Sequence, residues 1–390
     1  MQRSGGIIAA LLLMGQWTAL HFASEVGPIA VALSAGVGIF GAAFALTWAA
    51  EVAQLDIPTA LSVAFLALIA VLPEYAIDIY FAWQAGQDPT YIQYAAANMT
   101  GANRILIGLG WPVVVFAYGW RSGARAITLE RQQGTEVLFL LIATAYSFLI
   151  PLKGTLSPLD SGVLILLFAA YMYAAARGEI EEPDLEGSAE LIASLAPPMR
   201  RLVTLGLFVV AGFTIFLAAE PFAEALLDIG QEFGVDEFLL VQWLAPLASE
   251  TPEFIIAILF ALRLKPTIAF SALLSSKVNQ WTLLIGMLPL AYSASSGGLL
   301  AMVLEERQAR EILLTSAQSL FAIVILADMR FGMREALALL VLFSIQLAWP
   351  DPVVRDAFIW IYCGSSLAMI VVRPRTRASL FRLVRTNPFG

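Results

Sequence analysis

The chain has 390 residues, of which 59% are hydrophobic and 13% are charged, about half the charged fraction usual in soluble proteins. Its one cysteine, Cys363, and one histidine, His21, exclude an internal disulfide framework and the usual Cys/His zinc sites, and they disfavour a Ser-His or Cys-His nucleophile. The formal net charge of −8 is less informative than its distribution, and no nucleic-acid partner is expected.

Twelve apolar segments follow one another along the chain, most of them long enough to cross a bilayer. In hydrocarbon every backbone N–H and C=O must be paired internally, so these runs predict helices rather than barrel strands. The sequence therefore predicts an all-α polytopic membrane protein of about 11–12 spans. The first segment has a second interpretation, a cleaved signal sequence cut near Phe22-Ala23-Ser24. The segments lie at residues 5–23, 27–50, 59–83, 91–119, 136–152, 158–176, 202–219, 238–262, 267–293, 311–328, 334–349 and 354–372.

Positive charges fall mostly on one side of this arrangement. Most Lys and Arg residues lie in loops after even-numbered segments, near the N-terminus at Arg3, or in the tail after Val372. Short loops rich in Lys and Arg stay in the cytoplasm, which predicts two cytoplasmic termini in a plasma or inner membrane. The opposite side receives only Lys153, Arg307, Arg310 and Arg355.

Two apolar segments, the third and the eighth, share an unusual feature, a Pro-Glu pair deep in a helix. These pairs are Pro73-Glu74 and Pro252-Glu253. Five segments separate the two starts, an odd number, so the two helices cross the membrane in opposite directions. Broken helices at matching places in two inverted halves mark the midplane site of a transporter. Each is followed by a helix with a polar patch, residues 98–104 and 275–280.

This inverted repeat predicts the organisation of the chain. We expect a first repeat half at 27–177 and a second at 199–350, joined by an acidic cytoplasmic linker at 178–198. The acids of the linker lack the spacing of a known cation-binding loop, so a solvated connection is the simpler interpretation. An additional N-terminal helix, 1–26, and a C-terminal helix with a basic tail, 351–390, flank the halves; membrane lipid is the expected surrounding.

Four carboxylates lie deep within the apolar stretches, away from the ends of the segments. An ionised carboxylate at the bilayer centre costs about 2.5–3.5 kcal/mol, so such residues face the protein interior and usually mark ion or proton pathways. Two acids in one desolvated site repel each other, which predicts a site that holds a cation or a proton. The four residues form two pairs with helix spacing, Glu74 with Asp78 and Glu250 with Glu253.

Two basic residues of the polar patches, Arg104 and Lys277, are candidate counter-ions for these acids. In one interpretation each pairs with a glutamate while no cation is bound; in the other each forms a fixed salt bridge with a buried acid. Asp78 either binds the cation or pairs with Arg104. Carbonyls freed by the prolines, near Ala70 and Ser249, are further candidate oxygens.

At these residues the chain resembles the Ca²⁺/cation antiporter superfamily, which includes the sodium/calcium exchangers. Its two repeats each carry a Gly-Thr-Ser-x-Pro-Glu helix and then a Gly-Asn-x-x-Gly-Ser-Asn helix. Both Pro-Glu pairs match here, as do Asn98, Gly101 and Asn103 in the first following helix and Ser276 in the second. The resemblance implies an inverted repeat of five transmembrane helices each, with flanking helices added. It implies alternating access, with no cofactor besides the transported Ca²⁺, Na⁺, K⁺ or H⁺.

The resemblance also implies a site. Glu74 and Glu253 correspond to the central metal ligands of the family, and Ser276 to a residue that lines the site. Lys277 and Arg104 remain the candidate counter-ions. The other candidate cation-binding residues are Glu250, Asp78, Ser249, Asn103 and Gln280.

Several positions depart from the family pattern. Ala70 and Val71 replace its Thr-Ser, Leu106 replaces a later ligand, and Lys277 replaces an Asn. Ca²⁺ prefers about six to eight oxygens, so these changes weaken the assignment of Ca²⁺ as the transported ion more than the assignment of antiport. Exchange of Na⁺ or K⁺ against H⁺ fits the residues about as well. Two other functions stay open: a non-transporting relic that acts as a membrane binding or sensor protein, and an intramembrane acid–base enzyme.

A glycine run in the second segment, Gly36, Gly38 and Gly41, matches the dinucleotide-binding fingerprint by its letters. The run lies inside an apolar span, without a strand before it and without an acid placed for a ribose. Small residues let helices approach closely in membranes, so we interpret the run as a packing face.

Overall fold

The computed structural model describes residues 2–21, 26–56, 71–177, 185 and 187–385. Most of these residues are helical, and the strands among them are short. A 3₁₀ turn, Pro89–Tyr91, precedes α4, and two π-helical turns, Leu106–Gly110 and Gln280–Leu284, extend α4 and α12. The helices are α1 Gln2–His21, α2 Pro28–Ala53, α3 Leu72–Ala85, α4 Ile92–Ile105, α5 Trp111–Ser122, α6 Arg131–Ser147, α7 Leu149–Lys153, α8 Pro158–Ala175, α9 Ser188–Ala193, α10 Pro197–Phe233, α11 Glu237–Leu262, α12 Pro266–Asn279, α13 Ile285–Ser296, α14 Glu306–Leu326, α15 Met333–Ala348, α16 Pro352–Val372 and α17 Pro374–Arg385.

Eight helical stretches in the described residues are long and apolar enough to cross a membrane. The prediction of an all-α polytopic membrane protein is confirmed. The third predicted segment, 59–83, is described from Val71 onward, and Ala70 lies outside the described residues, as does the predicted signal cut. The eight stretches are α2, α8, α10, α11, α14, α16, Pro89–Ser122 and Gln133–Lys153.

The seventh predicted segment, 202–219, is part of the longer helix α10. This helix begins at Pro197, since proline suits the first helical turn, and ends before the left-handed Gly234. Its first turn carries Arg200, which donates hydrogen bonds of 2.8 and 3.0 Å to the carboxylate of Asp56. Hydropathy missed both ends of the helix because they carry charged residues.

Part of the segment predicted as a linker, 178–198, is helical. Helix α9 buries Ala189 and Ile192 in a core that also contains residues of α2 and α10. This end of the segment therefore packs on the helices instead of remaining fully solvated. The acidic residues Glu179, Glu181, Glu182, Asp184 and Glu186 lie outside the described residues.

The chain forms two compact units whose boundaries differ from those of the predicted halves. Unit 1 comprises Met1–Phe81 and Ala176–Pro252, and unit 2 comprises Ala82–Ala175 and Glu253–Gly390. Each unit takes residues from both predicted halves. Each Pro-Glu helix, α3 and α11, contains one unit boundary.

In unit 1, helix α2 packs against α1 and α10 through its glycines. A Cβ at Gly38 would lie 2.7 Å from the Cβ of Trp17, and a Cβ at Gly36 would lie 3.1 Å from the ring of Phe222. At Gly38 a side chain fits only if Trp17 shifts, and at Gly36 the ring of Phe222 would have to move slightly; the interpretation of the run as a packing face is confirmed.

In unit 2, two short antiparallel strand pairs link the first half of the chain to the second. Strand β1, Ala126–Thr128, pairs with β4, Arg330–Gly332. Strand β2, Thr155–Leu156, pairs with β3, Met302–Val303. Strands β1 and β3 precede α6 and α14, whereas β2 and β4 follow them, so each pair joins a connection before one of these helices to a connection after the other.

Helices α6 and α14 of unit 2 begin in the same way. Glu130 caps α6 and Glu305 caps α14, each by accepting from the backbone N–H of a glutamine three residues on. Those glutamines, Gln133 and Gln308, accept from the capping residue's own N–H, at 2.7 and 2.5 Å. The matching caps align α6 with α14 as equivalent helices of the two repeats.

Candidate functional site

The two acids of α3 belong to unit 1 and are buried. Glu74 is 1% exposed and Asp78 is fully buried. The two residues are one helical turn apart, so they share a face of α3 as predicted. The described part of α3 begins at Leu72, which puts Glu74 in the first turn, where the positive end of the helix dipole favours a carboxylate.

The second Pro-Glu pair lies in the interior of α11. Ser249 and Glu250 are buried, and Glu253 is half-buried. Pro252 has no N–H to donate to the carbonyl one turn back, that of Ala248. The Ser249 hydroxyl donates to two earlier carbonyls of the helix, both at 3.3 Å.

The two predicted polar patches meet in unit 2. The Lys277 ammonium of α12 donates to the side-chain oxygen of Asn103 on α4 at 2.5 Å and to its backbone carbonyl at 3.3 Å. The ammonium also lies 4.4 Å from the ring centre of Trp281. Both residues of the pair are fully buried. A buried ammonium requires such partners, because burying an uncompensated charge is costly.

Other residues of these patches are also buried. Asn98 and Gln280 are fully buried, and Ser276 is nearly so. The Gln280 amide donates a long hydrogen bond of 3.4 Å to the Ser276 hydroxyl, one turn back on α12. Amide and hydroxyl oxygens of this kind are suitable ligands for hard cations.

Each polar patch runs into a π-helical turn. Leu106–Gly110 begins three residues after Asn103, and Gln280–Leu284 begins three residues after Lys277. Such turns occur frequently at functional sites. Their equal offsets confirm that Asn103 and Lys277 occupy equivalent positions in the repeats.

Arg104 belongs to a buried ion-pair cluster. Its guanidinium lies 2.8 Å from the carboxylate of Glu311 on α14, and the guanidinium of Arg355 on α16 lies 2.6 Å from the same carboxylate. Arg104 also donates to Gln346 at 3.4 Å, and Gln346 in turn donates to Tyr362 at 2.6 Å. This arrangement matches the fixed-salt-bridge interpretation of Arg104, with Glu311 as the acid.

A second acid of unit 2, Glu136 on α6, has neutral partners. It accepts hydrogen bonds from the hydroxyls of Ser271, at 3.1 Å, and Ser275, at 2.7 Å, both on α12. The Ser275 hydroxyl also shares a 3.0 Å hydrogen bond with Tyr171 of α8. Glu136 is 3% exposed.

The sequence analysis missed Glu136 and Glu311. The hydropathy pattern puts each of them at the first position of an apolar segment. An acid at that position is expected at the membrane surface, next to a loop, and not in a buried site. A repeated Glu-x-x-Gln-x-x-Glu pattern could have revealed them: it starts at Glu130 and again at Glu305. Both acids therefore occupy equivalent positions, six residues after the helix cap.

The predicted meeting of Glu74 with Glu253 remains a prediction, since the two residues belong to different units. Among the residues that the structure describes, no three His, Cys, Asp or Glu side chains gather into a metal cluster. Ca²⁺ binds about six to eight oxygens, so hydroxyl, amide and carbonyl oxygens commonly complete a site formed by carboxylates.

Several solved structures are similar to this chain. The H⁺/Ca²⁺ exchanger CAX is 43% identical over 99% of this chain and 98% of its own, with a TM-score of 0.93. YfkE is 17% identical over 92% of this chain and 99% of its own, with a TM-score of 0.65. The sodium–calcium exchanger NCX_Mj is 15% identical over 83% and 99%, with a TM-score of 0.55. The last two share the fold, and no curated protein matches the sequence.

A family model described as sodium/calcium exchanger protein matches residues 26–177 and 203–350. These two stretches contain both Pro-Glu pairs and both polar patches. The chain therefore belongs to the sodium/calcium exchanger protein family, whose members are cation antiporters and not enzymes.

Proposed function

We propose that this cation antiporter exchanges Ca²⁺ for H⁺, with Glu74 and Glu253 as the residues that bind either ion. The 43% identity to the H⁺/Ca²⁺ exchanger CAX along nearly the whole chain carries the proposal. Na⁺ or K⁺ in place of one of the two ions is the alternative that the experiment below distinguishes.

The chemistry of carboxylates supports such an exchange. A carboxylate can bind a hard cation or a proton, but not both at the same oxygen, so the two ions compete. Further candidates are buried oxygens on α3 and α11 and on α4 and α12, which a cation can use without a further cofactor. They are Asp78, Ser249, Glu250, Asn103, Ser276 and Gln280.

Lys277 has the role of a counter-ion in this proposal. Its ammonium replaces an asparagine of the family pattern and donates to Asn103, a candidate ligand. A positive charge on Lys277 lowers the affinity of Asn103 for a cation and supplies positive charge to this patch when no cation is bound. Arg104 has a structural role, because Glu311 pairs with it.

The proposed orientation follows the distribution of Lys and Arg. Both termini lie in the cytoplasm of a plasma or inner membrane, since the basic loops and the basic helix α17 then share one side. Exposure of the site to either side in turn requires the two inverted repeats to move against each other.

The test is ion flux in proteoliposomes. An outward proton gradient should drive Ca²⁺ movement, and Ca²⁺ movement should be accompanied by an opposite movement of protons that a trapped pH dye reports. Glu74→Gln and Glu253→Gln should each abolish exchange while leaving a folded protein, because a neutral amide cannot alternate between ion and proton. The matched control is Glu306→Gln, an acid whose side chain is 85% exposed, which should exchange normally.

The driving ion is varied in the same assay. Exchange that follows a Na⁺ or K⁺ gradient and ignores the proton gradient would replace H⁺ in the proposal with that ion. Unchanged flux in both glutamine variants would rule out the two glutamates as the exchange site.

A further inference from the structure

Glu136 is a membrane-embedded carboxyl that the proposed exchange site does not use. It lies one turn inside α6, and its oxygens accept from two serine hydroxyls of α12. Among the described side chains it pairs with no Lys or Arg, since its polar contacts are these hydroxyls. Burying an ionised carboxyl with neutral partners only is costly, whereas the protonated form avoids most of that cost.

In the other repeat, the acid at the equivalent position has charged partners. Glu311 is the equivalent of Glu136, and two guanidiniums compensate it, those of Arg104 and Arg355. Arg104 lies two residues before its π-helical turn. The residue two positions before the other π-helical turn is Val278, on the helix that packs against α6. At the place where one repeat supplies a cation, the other supplies an apolar side chain.

Hydroxyls make both protonation states of Glu136 possible. Serine hydroxyls donate to a carboxylate and accept from a carboxylic acid, so no polar atom has to lose its partner when a proton arrives or leaves. Ser271 contacts both oxygens of Glu136, at 3.1 and 3.4 Å, and Ser275 contacts one at 2.7 Å. Glutamate with two guanidiniums, as in the other repeat, lacks this option.

Ionisable groups on the helices that pack against α6 bind other partners, reach Glu136 only through Ser275, or are exposed. Tyr171 of α8 faces Glu136 through the Ser275 hydroxyl. Lys277 on α12 is directed to Asn103. On the other neighbours, Asp160 of α8 pairs with Lys153 of α7, Glu311 of α14 is held in its cluster, and the arginines of α17 are exposed: Arg375, Arg377, Arg382 and Arg385.

We propose that Glu136, held by Ser271 and Ser275, is a second proton-binding site of the antiporter. The inference rests on the proposed exchange against H⁺. Ser275 is the direct neighbour of Ser276, a candidate residue of the exchange site, so the same stretch of α12 carries both groups. Protonation of Glu136 thereby acts on the helix that presents Ser276 and Lys277.

The test follows the protonation of Glu136 itself and its effect on transport. Infrared difference spectra between high and low pH should show a protonated-carboxyl band that Glu136→Gln removes. In proteoliposomes, Glu136→Gln should flatten the pH dependence of Ca²⁺ flux. Ser275→Ala should shift that dependence to higher pH by about one unit, because losing a donor to the carboxylate favours the protonated form. Ser366→Ala, a buried serine whose hydroxyl donates to a backbone carbonyl, should cause no shift.

The outcomes separate the inference from the proposed function. A wild-type protein without proton-coupled flux contradicts Ca²⁺/H⁺ exchange, while the infrared band still decides whether Glu136 binds a proton. A proton-coupled protein in which Glu136→Gln and Ser275→Ala retain the wild-type band and pH profile overturns the inference alone. If Glu136→Gln does not fold, the shift in Ser275→Ala decides.

Discussion

Lys277 and Asn103 join the polar patches of the two repeats through a hydrogen bond of 2.5 Å. They occupy equivalent positions, each three residues before a π-helical turn. The pseudo-symmetry of the fold therefore brings a positive charge from one repeat onto an amide of the other. The family pattern has an asparagine at both positions. This chain keeps Asn103 and has Lys277 at the other position, and the Lys277 ammonium donates to Asn103.

We expect Asn103→Leu to lower the melting temperature more than Lys277→Met. The first change removes a partner of a buried charge, which costs about 3 kcal/mol or more, whereas the second leaves a neutral oxygen short of a donor, at about 1–3 kcal/mol. Thermal unfolding in detergent measures both variants and the double variant. Equal losses, or additive effects in the double variant, would show that the contact contributes little.

The Glu311 cluster predicts a graded loss of stability. Glu311→Leu leaves two buried guanidiniums without their carboxylate and should cost about 3–5 kcal/mol. Arg355→Met keeps the Glu311–Arg104 pair and should cost clearly less. The control is Arg310→Met, which breaks pairs with Glu306 and Asp356 near the surface and should change the melting temperature little. A tolerated Glu311→Leu would contradict the structural role given to Arg104.

We expect Asp56, in unit 1, to contribute to the stability of the folded protein in a pH-dependent way. The hydrogen bonds from Arg200 hold the pKa of this carboxyl below its usual value of 3.8, with a smaller contribution from Arg201. A lowered folded-state pKa stabilises the protein above 3.8, and this stability is lost as the pH falls through the folded value. Asp56→Asn should therefore lower the melting temperature at neutral pH, and its difference from wild type should shrink in acid below 3.8. A difference that is constant with pH would refute this.

We expect that the first π-helical turn does not tolerate a side chain at Gly108. A Cβ there would lie 2.2 Å from the ring of Phe343 on α15, too close for either side to remain in place. Gly108→Ala should cost about 1–3 kcal/mol and reduce transport, because the turn follows the Asn103 patch. Gly162→Ala in α8 is the matched control: nothing lies within 4 Å of its Cβ, and helix propensity favours alanine. Equal effects of both changes would contradict the close approach.

The membrane class, the Pro-Glu helices and the matching polar patches could all be predicted from the sequence. Each depends on residues close together in the chain: an apolar run, a proline beside an acid, or a short polar stretch. The assignment to the exchanger family, first made as a resemblance at Pro73-Glu74 and Pro252-Glu253, is confirmed. Hydropathy was weaker at helix ends, as the charged first turn of α10 shows.

The tertiary structure alone decided which polar residues became partners. Arg104 and Lys277 look alike in the sequence, as basic residues of equivalent patches, but one is held by Glu311 and the other donates to Asn103. Glu136 and Glu311 share one local pattern and differ only in what the neighbouring helix offers, hydroxyls or guanidiniums. Local sequence determines whether a buried helix forms; the partner of a buried charge depends on the facing helix, which lies far away in the chain.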